Sequence, residues 1–227
     1  MLSMRLKWLA GLGTVGGLAV LVAWLAPAPE GHAIAATPFL ALSRVPVPEM
    51  PAKAADLVQA APVLERETTA AAVLRAVATI ARPGVMPFVV SAICRRNPEV
   101  SGTVVATAIQ LQPQDVPYIC RAAVCAAPDR VEQVVESACL ARPDSFANVA
   151  LVAFGRLPAA NNLILYGLTN ALPGLKPYLD QAAQRGGTND FVALIHQTVQ
   201  LLADAAKAEK TKQSRNEEPA AETRNSK

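Results

Sequence analysis

Apolar side chains along the middle of this chain keep a helical spacing that restarts every 15 residues. Prolines mark the restarts, at Pro83, Pro98, Pro113, Pro128, Pro143, Pro158 and Pro173. Counted from Pro128, the apolar residues fall at unit positions 4, 7, 8, 11 and 12: Val131, Val134, Val135, Ala138 and Cys139. The other units follow much the same pattern. An i, i+3, i+4, i+7, i+8 spacing draws one apolar stripe down a helix. Seven prolines at one spacing mark an internal repeat. The same frame extends upstream to TTAAAVLRAVATIAR, from Thr68, and downstream to TNDFVALIHQTVQLL, from Thr188.

Proline suits the first position of a helix, where its missing N–H has no intrahelical partner and its φ is already set. Acidic residues follow closely at Glu99, Asp115, Asp129 and Asp144, at the positive end of the helix dipole. A longer period lies over the first. Pro87, Pro117 and Pro177 occupy position 5 of alternate units, and Phe88, Tyr118 and Tyr178 follow them. The corresponding slot of the Pro143 unit holds Ala147 and Asn148 instead. The inner prolines would clash inside a helix, so they predict helix starts near residues 86, 116 and 176. Short connections set consecutive helices antiparallel, and no unit can bury its stripe alone. The expectation is an all-α fold: an α-solenoid of antiparallel helical hairpins, with a 15-residue helix unit and a 30-residue repeat. PAKAADLVQAAPVLERE predicts a capping helix at one end, and Thr188 to Lys207 caps the other.

With its acidic turn, aliphatic stripe and small residues, PDRVEQVVESACLARPD resembles the short bacterial HEAT-like type of helical-hairpin repeat. The resemblance runs from about Thr68 to Leu202. It implies a solenoid fold and carries no defined activity.

The ends read differently. Arg5 and Lys7 precede an uncharged run, Trp8 to Ala26, and small residues follow at Ala33, Ala35 and Ala36. This is the order of a secretory signal peptide, and the run also reaches the length of a membrane span. Residues 1–36 are therefore expected to be a signal peptide or N-terminal membrane anchor, with the rest exported to the periplasm or the exterior. Residues 37–51 read as a proline-rich linker, 52–206 as the helical-repeat domain, and 207–227 as a disordered polar tail.

Composition narrows the function. Net charge is +3 with no basic run, which argues against nucleic acid. His32 and His196 stand alone, without a base, nucleophile or metal partner in reach. No phosphate loop, nucleophile elbow or ligand cluster is present, so neither catalysis nor a cofactor is implied. Phe88, Tyr118 and Tyr178 predict an aromatic row, which serves either helix packing or a groove. Asn161 and Asn162 suit a turn and Asn170 a helix end. Asn161, Asn162 and Asn170, with Tyr166, also form a candidate polar patch in the least regular repeat. Arg95, Arg96, Arg121, Arg142 and Arg156 fall late in their units, where basic residues offset the dipole.

Four cysteines, Cys94, Cys120, Cys125 and Cys139, lie in the part expected to be exported, where an even number suggests disulfides. About the turn at Pro128, Cys120 and Cys139 stand nearly symmetrically. Cys94 and Cys125 stand at positions 12 and 13 of successive parallel helices. That favours Cys94–Cys125 with Cys120–Cys139, ahead of Cys94–Cys120 with Cys125–Cys139. The competing reading is four small residues packed reduced in the stripes.

Together these features predict an exported, non-enzymatic scaffold of the cell envelope that binds a protein or peptide, with a lipid- or small-ligand-binding helical domain as the alternative. The alternative requires a closed apolar cavity. Export has its own test. A reporter active only in the cytoplasm, fused after Lys227, should be silent, and strong activity there would rule export out.

Overall fold

The computed structural model describes residues 33–80, 84–186 and 190–217. Residues 1–32 of the expected signal segment and the end of the tail lie outside them, while residues 33–36 begin the first helix. The described residues form α-helices and short 3-10 turns, without a strand. The helices are α1 (Ala33–Ser43), α2 (Met50–Ala60), α3 (Arg66–Ile80), α4 (Met86–Arg96), α5 (Ser101–Leu111) and α6 (Val116–Ala126). They continue as α7 (Val131–Ala141), α8 (Phe146–Phe154), α9 (Asn161–Ala171), α10 (Lys176–Gly186) and α11 (Phe191–Glu217). The starts of α4, α6 and α10 are those predicted from the inner prolines.

From Pro98 onward the units share one anatomy. Proline opens a three-residue 3-10 turn, such as Pro98–Val100 or Pro128–Arg130, and the α-helix begins at position 4. This corrects the expectation that the spaced proline itself opens the α-helix. It also makes the two kinds of unit start alike, with or without an inner proline.

One residue closes each unit, and it is the joint. Asn97, Gln112, Ala127, Arg142, Leu157 and Leu172 have φ between −145° and −131° and ψ between 68° and 80°. Each precedes a proline, whose ring bars the α conformation from the residue before it. The joint N–H still donates to the carbonyl at position 11 of its own unit, at 2.8–2.9 Å. Its carbonyl accepts from the N–H at position 3 of the next unit, at 2.9–3.2 Å. Both polar groups of the bent residue are thus satisfied, and the proline has no N–H to leave unpaired.

In α4 to α7 the stripe at positions 4, 7, 8, 11 and 12 is buried in full and forms the core. In α4 it comprises Met86, Val89, Val90, Ile93 and Cys94, and in α7 Val131, Val134, Val135, Ala138 and Cys139. From α1 to α9, each helix packs more extensively on the second helix along the chain than on its sequence neighbour. One layer runs α1, α3, α5, α7, α9 and the other α2, α4, α6, α8. This is the all-α solenoid that the repeat predicts.

Small residues set the spacing around α7. A Cβ on Gly167 of α9 would stand 2.7 Å from the Glu132 carbonyl oxygen, which belongs to the α7 backbone. A Cβ on Gly102 of α5 would meet Ser137 Oγ at 2.7 Å, the end of a side chain that can turn away.

Four features depart from expectation. The proline-rich stretch 37–51 is not merely a linker: it holds the end of α1, the 3-10 turn Val47–Glu49 and the start of α2, and Leu42 is buried. Upstream the frame is five residues earlier than Thr68. The turn at Val63–Glu65 puts the stripe of α3 on Thr69, Ala70, Val73 and Leu74, and an extra turn buries Val77. Gly84, at φ +91°, then turns the chain into α4, a conformation that only glycine adopts freely. At the far end α11 packs on both α10 and α8, in the stacking place next to α8. It begins at position 4 of the Thr188 unit, with Asp190 Oδ1 accepting from the N–H groups of Val192 and Ala193. It also runs through Glu217, so much of the stretch expected to be disordered is helical.

The close approach at Gly167 can be tested. Gly167→Ala should lose about 1–3 kcal/mol to the clash, partly offset by up to about 1 kcal/mol of better helix propensity. Gly174→Ala, where a Cβ meets nothing within 4 Å, should stay within about 0.5 kcal/mol of the parent. Urea unfolding of both variants checks this. Equal stabilities would show that the α7–α9 contact is not tight.

Candidate functional site

The inner prolines that fix the starts of α4 and α6 also place the residue after each of them. Position 6 falls off the buried stripe, so Phe88 and Tyr118 point outward, 67% and 63% exposed. In a chain with 4% aromatic residues, rings held in solvent at the same place on two stacked helices are notable. They stay outside because the inner proline fixes the helix start, which leaves position 6 between the buried positions 4 and 7 and off their face.

Two grooves meet at Phe88. One, of about 610 Å³, lies between α4 and α6 and is lined by residues that include Phe88, Ser91, Asp115, Tyr118, Arg121 and Cys125. The other, of about 500 Å³, lies between α2 and α4 and is lined by Pro48, Pro51, Phe88, Ser91 and Arg95, among others. Both linings include Phe88 and Ser91, so the two grooves adjoin on either side of α4 and together make an open, mainly apolar surface across three stacked helices, called the channel below.

The expected aromatic row therefore exists for two of its three members. Tyr178 is half-buried on α10 and lies outside both grooves, because α11 rather than α10 stacks beside α8. Arg95 and Arg96 lie in the last turn of α4, as expected, whereas Arg121 is not near a helix end. Arg121 sits at mid-helix in α6 and faces the channel, and Arg95, in the last turn of α4, lines its other half. Arg96 pairs with Asp56 of α2, and Arg142 Nε donates to Asp144 Oδ1 at 2.9 Å.

A third cleft, of about 430 Å³, opens where the repeat ends, among α8, α9, α10 and α11. Phe154 and Phe191 stack in it with centroids 4.5 Å apart, and Asn161, Asn162, Lys176 and Asp180 supply its polar lining. Of the candidate polar patch, Asn161 and Asn162 are in this cleft, while Tyr166 is exposed elsewhere. Asn161 Oδ1 accepts from the Asn162 N–H at 2.8 Å inside the first turn of α9, but the N-cap position is Ala160, so Asn161 is not the expected cap. His196 is exposed, and His32 lies outside the described residues. Among the described residues no group of three or more His, Cys, Asp or Glu could hold a metal ion, and no helix is long and apolar enough to cross a membrane.

The cysteine pairing is corrected. All four thiols are free. Cys94 at position 12 is buried, whereas Cys125 at position 13 lies about 100° further round its helix and is exposed in the channel. One step along the helix thus parts two side chains that are level along the stack. Cys120 and Cys139 are both buried, and burial pushes the Cys120 thiol up to about 12, with Cys139 close enough to raise it further. Burial likewise raises Cys139 to about 12 and Cys94 to about 11.

Comparison with known proteins finds no matching family model, no similar curated protein and no similar solved structure.

The thiols yield a pH prediction. Their folded pKa values are raised, so their contribution to stability is fully present below the unfolded thiol pKa. It is lost as pH rises from about 9 towards 11–12. Each buried thiol should cost about 1.4 kcal/mol per pH unit across that window. Unfolding of the parent and of a Cys94→Ala, Cys120→Ala, Cys139→Ala variant should show the steeper alkaline loss in the parent. Parallel curves would contradict the burial of these thiols.

Proposed function

We propose that this chain is an exported, non-enzymatic helical-repeat module of the cell envelope that holds a protein or peptide partner in the channel across α2, α4 and α6. The observation that carries this reading is the exposed pair Phe88 and Tyr118 over adjoining apolar grooves of about 610 and 500 Å³. Aromatic anchors in a concave apolar surface are the usual centre of a binding interface. The channel is open along its length, which favours a macromolecular segment over an enclosed lipid. Export rests on the basic flank, the uncharged run and the small residues before the repeat. In form the array is akin to the short bacterial HEAT-like repeats, whose stacked helices offer an extended surface.

The test is recovery of the tagged chain from its native envelope, with quantitative mass spectrometry. We expect one stoichiometric protein with the parent and at least a tenfold loss with Phe88→Ala, Tyr118→Ala. Both residues are exposed, so the variant should unfold at the parent's midpoint. Recovery of lipid alone, or equal recovery of the protein with the double variant, would overturn the proposal.

A further inference from the structure

We propose that the channel accepts an extended proline-rich segment carrying an acidic side chain, bound as a polyproline II helix that runs across α2, α4 and α6. The inference rests on the reading of this channel as a docking site. Three observations lead to it.

The first is pitch. Phe88 and Tyr118 hold the same unit position 30 residues apart, on helices that stack directly. They therefore stand about one interhelical spacing apart, roughly 8–10 Å. A polyproline II helix rises about 3.1 Å per residue with three residues per turn, so its like faces recur about every 9 Å. Successive proline pairs on one face of such a ligand meet successive aromatic rings. An α-helical ligand laid in the same direction meets them only through its two-turn repeat of about 10.8 Å, longer than that spacing.

The second is the hydrogen-bonding inventory. The channel presents donors: the guanidinium groups of Arg95 and Arg121 and the hydroxyls of Ser91 and Tyr118. Asp115 is the carboxylate among its lining residues. Proline offers a carbonyl and no N–H, and a polyproline II helix leaves its carbonyls free. A ligand with acceptors and few donors matches a wall with donors and few acceptors. Helical and β-strand ligands use most of their carbonyls within their own structure or against an edge strand, and the described residues contain no strand to offer one.

The third is charge. Two arginines against one aspartate leave the channel with a net positive charge, which selects a ligand with at least one glutamate or aspartate. Polyproline segments dock in aromatic-lined grooves for the same physical reasons: a preformed, low-entropy ligand on flat apolar rings.

Binding of labelled peptides to the full chain, read by fluorescence anisotropy, tests the proposal. The probes are a nine-residue oligoproline with one central glutamate, the same peptide with lysine in that place, and an alanine-rich amphipathic helical peptide of the acidic charge. The acidic oligoproline should bind at least tenfold more tightly than either of the others. Phe88→Ala, Tyr118→Ala should weaken it at least tenfold, and Arg121→Gln should narrow the preference for glutamate over lysine. Tighter binding of the helical peptide, undiminished binding by the aromatic variant, or no oligoproline binding up to millimolar concentration would each overturn it. If no peptide binds while the envelope partner is still lost on substitution of Phe88 and Tyr118, the polyproline assignment fails and the channel remains the docking site.

Discussion

The bend at the residue before each proline is the constraint on which the rest of the structure depends. The proline ring excludes that residue from the helical region, so the helix ends there whatever the residue's own preference. Asparagine, glutamine, alanine, arginine and leucine all adopt nearly the same angles at this position. Because the angles repeat, so does the rotation from one helix to the next, and the apolar stripe always returns to the same side. Two joints bring the chain back to its starting direction, which makes second neighbours the stacking partners and builds the two layers. The joint needs no side-chain capping bond, since backbone groups satisfy one another across it.

How legible this was in the sequence depended on whether a unit kept its proline after the joint. From Pro98 to Pro173 it does, and in the units from Pro98 to Pro128 the stripe could be read to the residue, whereas in the Pro158 and Pro173 units Asn161, Lys176 and Asp180 hold stripe positions and are not buried. The 3-10 turn could not, because Pro-x-x opens a 3-10 turn and an α-helix with the same residue types. Upstream, Pro62 stands before the turn Val63–Glu65, at the joint itself, so the frame slips and α3 gains a turn. The stretch 37–51 looked like a spacer because prolines are dense there. Pro48 and Pro51, however, lie in first turns, where no hydrogen bond is lost. The end of α11 has no apolar stripe to reveal it; its Ala, Lys, Glu and Gln are good helix formers instead.

The candidate site was legible in its residues and not in its polarity. The spacing singled out Phe88, Tyr118 and Tyr178, and area arguments favoured their burial. The structure turns Phe88 and Tyr118 outward, because position 6 lies off the face that carries the buried stripe. Tyr178 failed to join them for a tertiary reason, since α11 stacks beside α8. The cysteines show a similar limit. Unit position gave their level along the stack correctly. Their direction around the helix differs by one residue, and that separates a buried thiol from an exposed one.

A joint that works with five different residues holds no information about where along the array it stands. Nothing in it counts units, so this architecture has no intrinsic length. Duplication or loss of 30 residues between equivalent joints leaves every remaining angle as it was and exposes no new kind of surface. Chain length in such a protein is therefore a quantity that inheritance can vary in whole steps. What stops the array is local to its ends: the displaced α10 and the long α11 at one, and the irregular units before Gly84 at the other.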